Sequence, residues 1–446
     1  MDRARNYIEI ADQLVTDVKE GILKPGDQLP PQREFAYVKK IAPSTASRVY
    51  AELVKRGIAI GEVGRGTFIR AFDHMAPELG EPAKQPINMQ LNFSVIADMA
   101  ADMIPGMEHL LRPDVLGASL MPAGVEGDAV GRSQASKLLD FGGWTPNPDN
   151  IVFTGGGRQG IAASMAALAA PGDRIAIEFM TYPVVKGIAA RLGITLVPIP
   201  MDDNGICVEA LAYEHRKAQL SAIYIQPTLH NPLGITMSDE KREALANFVK
   251  AENLYVIEDV VYAFLKNGVP FGKLAPDHTF TVESLSKRLT PGLNFGFVVG
   301  PAIYKEKLIT AIRTGGWATS GLNYTTCMRW MSDGTLKKYE ILRQEDARKK
   351  QKVAREILSD FTLHNDPESY HIWMELNDGW RAEVFCAAAA SRGVAISPAS
   401  VFAVNHGSAP NCIRIALAPP SDEDLKRGLN VIKSLALSNE NEIIIE

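Results

Sequence analysis

The sequence predicts an α/β protein in two parts: a small head of three helices and a β-hairpin, then a large body on a mainly parallel sheet flanked by helices. Three observations predict it. Near the start, apolar residues recur at helical spacing through Leu53, and two short apolar runs then flank Gly64-Arg65-Gly66. From Asn88 onward, apolar runs of strand length alternate with stretches of helix length, the pattern of a parallel sheet with helices on both faces. Charge divides at the same place. Residues 1–70 hold 12 Lys/Arg against 9 Asp/Glu, about +3, whereas the whole chain carries −5, which leaves the remainder near −8. A locally basic head on an acidic body fits a nucleic-acid reader joined to a separate domain.

In the head, Ile8, Ala11, Leu14, Val15 and Val18 form one helical stripe, closed by Gly21 and the Pro25-Gly26 turn. Asp27 to Ala36 opens a second helix, with Pro30 and Pro31 at its entrance. A third begins near Pro43, runs through Leu53 and stops at Gly57; Ile58–Ile60 and Thr67–Ile69 make the hairpin. Three helices and a hairpin form a winged helix-turn-helix over residues 1–71. Its third helix is the one that enters the major groove. Ser44 and Thr45 at its start and Arg48 one turn on are candidate base or phosphate contacts, and Arg33 and wing Arg65 are candidate backbone contacts. Residues 72–87, containing Pro and Gly and without periodicity, read as a linker, and 88–446 as the body.

Composition excludes several classes. With 446 residues, 46% hydrophobic and 22% charged, the chain is long enough for two or three well-packed domains. Cys207, Cys327, Cys386 and Cys412 are scattered without a C-x-x-C pair, so neither a disulfide framework nor a metal site is expected. No apolar run approaches the roughly 18 residues of a membrane span, and charges stand where a signal peptide would be apolar. The expected location is a bacterial cytoplasm.

The expected body strands are Ile151–Phe153, Ile175–Glu178, Thr195–Ile199, Ala222–Gln226, Leu254–Glu258, Thr279–Glu283 and Phe295–Val299. Candidate chemistry sits where they end, as it does in sheets of this kind. Thr154-Gly155-Gly156-Gly157-Arg158-Gln159-Gly160 follows a strand and opens a helix. Glycines let the backbone approach a phosphate, and the helix start supplies free N–H groups; by itself such a turn is as often only a turn. Tyr182 follows the next strand, and Asn231 sits in an N-P-x-G turn. Asp259 follows an apolar strand, three residues before Tyr262, with Glu258 as the competing acid. Ser284 and Lys287 share one turn. A lysine becomes a nucleophile only when its surroundings depress its pKa. Arg414 lies in the late apolar run Cys412–Leu417, and its planar guanidinium suits a carboxylate.

These motifs resemble known families. The head resembles the GntR type over residues 5–70, with Ala42-Pro43 in place of the usual Ser-Arg before the recognition Thr. In the body, T-x-G-x-x-Q, P-G-D, E-F-M-T-Y (E-x-P-T-Y in the family), N-P-x-G, D-x-x-Y, S-x-S-K-x-x-x-P-G-L and I-R-I occur in the order of class I/II aminotransferases of pyridoxal-phosphate (PLP) fold type I. The whole chain resembles MocR/GabR-type transcriptional regulators. The resemblance implies PLP on Lys287, with Gly156, Gly157, Arg158 and Ser284 around its phosphate. It implies Tyr182 stacked on the ring, Asp259 on the ring nitrogen, Asn231 and Tyr262 on the phenolic oxygen, and Arg414 for an effector carboxylate. It also implies a head-exchanged homodimer on double-stranded operator DNA, with an amino acid or amine effector sensed by exchange at the Lys287 Schiff base. Departures weigh against efficient transamination. Asn294 stands where the family has a phosphate-clamping Arg, so Arg288 or Arg158 must replace it or the cofactor is held more loosely. Met121–Gly127 fills the place of an upstream Tyr motif, and Pro398–Phe402 stands for the late P-G-x-x-F turn. Two alternatives remain: an active aminotransferase with an appended head, and a DNA binder whose body has lost the cofactor.

Overall fold

A computed structural model describes residues 3–19, 22–24, 26–55, 58–62, 66–69, 87–93, 96, 99–266, 268–377, 379–405 and 409–438. The chain divides into two compact units, Met1–Ala76 and Pro77–Glu446. Apart from Ile87, the expected linker lies outside the described residues, as does Arg65.

The head has helices Arg3–Lys19, Gln32–Val38 and Pro43–Lys55. Apolar positions three and four apart turn Ala11, Leu14, Phe35, Ala36, Ala46, Val49, Tyr50 and Leu53 into one buried cluster. The strands Ala59–Glu62 and Gly66–Ile69 pair antiparallel, as the hairpin reading expects. A third strand, Gln28–Leu29, joins them on Gly66–Ile69. Two residues carry too little pattern to announce a strand, and the second helix accordingly starts later than expected, at Gln32. That helix ends in a Schellman motif: the Ile41 amide donates to the Ala36 carbonyl at 3.0 Å and the Lys40 amide to that of Tyr37 at 3.2 Å. Lys40 takes the left-handed position, φ +53°, where a residue with a Cβ costs about 1–2 kcal/mol.

The body is built on a seven-stranded sheet. The strand order is Ile151–Thr154, Gly296–Val299, Thr279–Ser284, Tyr255–Asp259, Ala222–Ile225, Arg174–Glu178 and Thr195–Ile199. All pairings are parallel except the two made by Gly296–Val299. Every strand expected from the sequence is present, with ends shifted by a residue or two. Alternation of side chains puts Ile175, Ile177, Tyr224 and Ile257 in one core, and Ala176, Ile223, Ile225 and Val256 in the core on the other face. Both faces are covered, so these strands read as continuous apolar runs.

A smaller antiparallel sheet, ordered Leu363–His364, His371–Glu375, Cys412–Ala416, Ser397–Pro398, packs against helices Ala382–Ser391 and Asp422–Leu437. The short strand Ile87–Asn88 pairs with Val394–Ala395. The helix Thr335–Ile357 spans the two parts, giving Leu336 and Tyr339 to a core of the large sheet and Ala354 to that of the small one. No helix among the described residues is long and apolar enough to cross a membrane.

Leu53→Ala removes a fully buried side chain from the head and is expected to cost about 2–5 kcal/mol, much of the stability of so small a domain. Scanning calorimetry should show the head transition lost and the body transition unmoved. A body transition that falls with it contradicts the division into two units.

Candidate functional site

A cavity of about 290 Å³ opens at the carboxyl ends of the parallel strands. It brings together Gly156, Gly157, Arg158, Tyr182, Asn231, Asp259, Tyr262, Ser284 and Lys287. Nine candidates drawn from a span of more than a hundred residues therefore share one wall.

Asp259 closes its strand and is buried. Its Oδ2 accepts from the Tyr224 hydroxyl at 2.8 Å and from Gln226 Nε2 at 3.0 Å, and its Oδ1 accepts from the Val261 amide at 3.2 Å. Burial raises its pKa above the usual carboxylate range, while these donors and the Lys287 charge act in the opposite sense. Glu258, one residue earlier, turns away from the cavity. It accepts from the amides of Phe271 and Gly272 and from the Thr281 hydroxyl. The spacing argument for Asp259 therefore has a structural basis: successive side chains of a strand leave by opposite faces.

The glycine turn follows a strand and opens a helix, as expected. Gly156 has φ +129° and caps the helix Gly157–Leu168. Gly160 lies so close to the sheet that a Cβ would meet Val282 at 2.8 Å, which brings the helix start down onto the strand ends. Ser284 caps the short Leu285–Arg288 turn through the Ser286 amide at 3.2 Å, and its hydroxyl lies 3.1 Å from that of Ser286. Arg158 Nε donates to the Tyr182 hydroxyl at 3.0 Å.

Arg288 is not the replacement for an arginine at Asn294. Its guanidinium is buried and paired with Glu283 at 2.6 Å and with Glu340. Arg158 and Lys287 are the cations among the described residues that line the cavity. Arg343 holds the same turn from behind, donating to the carbonyl oxygens of Arg288, at 2.8 Å, and Leu289.

Lys287 Nζ donates to the Asn92 carbonyl at 2.7 Å and lies 5.7 Å from the centre of the Tyr262 ring. Arg414 is fully buried and does not line the cavity. It stands one residue behind, donating to Asn231 Oδ1 at 3.0 Å and to the Gln90 carbonyl, with its guanidinium 4.9 Å from the Phe402 ring centre. The Arg414 bond fixes the Asn231 amide, leaving its Nδ2 as the donor.

Sequence reasoning missed Asn92, Gln226 and His371. Asn92 Nδ2 lies 2.9 Å from the Tyr262 hydroxyl and 3.1 Å from His371 Nδ1; His371 Nε2 lies 2.9 Å from the His230 carbonyl. A carbonyl only accepts, so His371 carries its proton on Nε2 and receives Asn92 on Nδ1. Gln226 stands beside the N-P-x-G motif and was within reach of a closer reading. Asn92 and His371 sit in no motif.

In the head, Arg33, Ser44 and Arg48 are exposed and Thr45 half-buried, all on the second and third helices. Arg48 lies over the Tyr7 ring, 5.0 Å from its centre.

Burial, with the Arg414 charge nearby, pushes His371 down from 6.5 to about 3. The unfolded chain therefore takes this proton first as pH falls. The contribution of neutral His371 is complete above pH 6.5 and is lost from there toward pH 3, at about 1.4 kcal/mol per pH unit. His371→Asn should flatten the stability–pH curve from urea unfolding across that window; equal slopes for the two proteins contradict the assignment.

Comparison with known proteins agrees with this geometry. The family model for gntR-family bacterial regulatory proteins matches residues 6–69, and that for class I and II aminotransferases matches residues 132–432. The uncharacterized HTH-type transcriptional regulator YdeF of Bacillus subtilis is 30% identical over 439 residues, covering 96% of this chain and 94% of the relative. The pyridoxine biosynthesis transcriptional regulator PdxR of Corynebacterium glutamicum is 24% identical across 85% of this chain and 83% of its own length. Among solved structures, the α-aminoadipate aminotransferase LysN of Thermus thermophilus superposes with TM-score 0.73 at 20% identity, covering 81% of this chain and 93% of its own. That likeness shows the fold, which is fold type I. With a gntR-family helix-turn-helix joined to a class I and II aminotransferase body, and relatives of the same build along nearly its whole length, the chain belongs to the MocR/GabR-type transcriptional regulators.

Proposed function

We propose that the body binds PLP on Lys287 and senses an amine or amino acid reaching the same cavity, and that the head carries the response to operator DNA. The observation that carries this reading is the meeting of the Lys287 amine, the buried Asp259 carboxyl and the glycine turn around one cavity. The donor set fits the cofactor. Buried Asn92 Oδ1 and Gln226 Oε1, both in residues lining the cavity, have no hydrogen-bond partner among the described residues, which leaves polar capacity for a polar ligand.

When bound, PLP supplies an aldehyde that condenses with primary amines and a ring that accepts electron density. Lys287 would hold the aldehyde end. Asp259, steadied by Tyr224 and Gln226, would keep the ring nitrogen protonated. Tyr262 and Asn231 Nδ2 would bond the phenolic oxygen, and Tyr182 would stack on the ring. The amides opening the helix Gly157–Leu168, with Ser284 and Arg158, would receive the phosphate. Arg158 as the cation at that end is exposed and already tied to Tyr182, so the phosphate would be held less tightly than by a buried clamp.

Arg414 would receive an effector carboxylate, which would have to displace the Gln90 carbonyl from it. Asn92, two residues on, holds Lys287 through its own carbonyl. The two cations thus grip one segment, and a carboxylate-bearing amine would loosen both grips. In a cytoplasmic homodimer with exchanged heads, the segment's movement would shift a balance between two head arrangements. Such a shift requires different effector affinity in the two states. Paired heads on paired half-sites bind by effective concentration.

Lys287→Ala should lose the visible absorbance of the lysine-bound cofactor and the borohydride-trapped adduct. Retention of both, with the adduct mapped to another lysine, overturns the reading. Arg414→Ala should keep the resting spectrum yet lose the response to carboxylate-bearing amines, because losing one buried bidentate pair costs on the order of 2–5 kcal/mol. An unchanged titration removes Arg414 from the effector site.

A further inference from the structure

The turn that joins the second and third helices of the head holds a lysine where its backbone favours glycine. Lys40 is fixed at φ +53° by the two amide bonds of the Schellman motif, and Ile41 beyond it packs on the head core. No contact of the side chain with the described residues of the head rewards that choice. Lys39 and Lys40 are both exposed, and neither side chain makes a hydrogen bond or ion pair with the described residues. Tyr37, three residues earlier, is 86% exposed, so this corner presents an aromatic ring and two cations to solvent.

A cation near the start of the third helix would strengthen its hold on backbone phosphate. That end is the one a helix-turn-helix presents to the groove, where backbone phosphates lie on either side. Its first turn, Pro43-Ser44-Thr45-Ala46, has none, and Arg48 in the next turn lies over the Tyr7 ring. The cations nearest in sequence to the start of the helix are Lys39 and Lys40.

We propose that Lys40, with Lys39 beside it, is a DNA-phosphate contact of this head, and that this contact is why a lysine stands at a position whose backbone favours glycine. The inference rests on the head binding DNA and names a contact within that interface. Each phosphate contact on duplex DNA releases condensed counterions, so losing one lowers the dependence of affinity on salt by a fixed increment.

The test uses the full-length protein and a mixed-sequence duplex, with affinity read by fluorescence anisotropy over a salt series. Lys40→Gly removes the ammonium and relieves the backbone at once. It should reduce the slope of log affinity against log salt by about 0.9 and weaken binding several-fold at low salt. The head's thermal transition should stay where it was or rise. Lys40→Arg, which keeps the charge, should retain the wild-type slope. The proposal is overturned if Lys40→Gly keeps the wild-type slope and affinity. It is also overturned if the head transition falls along with binding, since lost folding then explains the loss, or if Lys40→Arg loses as much as Lys40→Gly. A wild-type protein with no affinity for the duplex sinks the DNA-binding reading itself and this contact with it.

Discussion

A parallel strand covered on both faces has no side that tolerates an unpaired polar group, and the site depends on that constraint. Burying a carboxylate or amide without partners costs several kcal/mol, so polar side chains collect where the strands run out. Thr154, Glu178, Gln226, Asp259 and Ser284 all stand at or next to a carboxyl end, and all five of the turns that follow supply cavity-lining residues. Glu258, one residue inside a strand end and facing away from the cavity, bears the constraint out. Each of its oxygens is met by a donor, from Phe271, Gly272 or Thr281. Glu178 Oε2 likewise accepts from the Gln226 amide at 2.9 Å.

The same physics decides what was legible in the sequence. Seven runs of buried apolar residues announced seven strands because the signal is local and continuous. The turns that follow those runs were legible for the same reason, and nine candidates in or next to them meet at the cavity. Asn92 and His371 were not, because their value comes from contact across 170 and 279 residues of chain. The strand Gln28–Leu29 left no pattern, and its two residues pair only because the hairpin offers an edge. Arg288 was misleading in a more instructive way. It adjoins Lys287 in sequence, yet Glu283 and Glu340 claim it from the opposite side of the turn.

That opposite side explains how Lys287 is kept in place. Two acids and one arginine buried together are costly to assemble and costlier to break singly, by about 3–5 kcal/mol when one partner is lost. Their worth here is geometric. Glu340 and Arg343 belong to the helix Thr335–Ile357, which also reaches into the core of the small sheet that carries Arg414. Lys287 is therefore fixed from behind by a helix that ends in the other part of the body. From the front it is held by Asn92, in a segment that begins as the short strand paired with Val394–Ala395 and packs in the core of the small sheet. Front and back contacts both lead from the lysine to the part of the fold that holds Arg414. A ligand that spanned the two cations would therefore meet the one segment at both Gln90 and Asn92, whereas one that met Lys287 alone would act at Asn92 only.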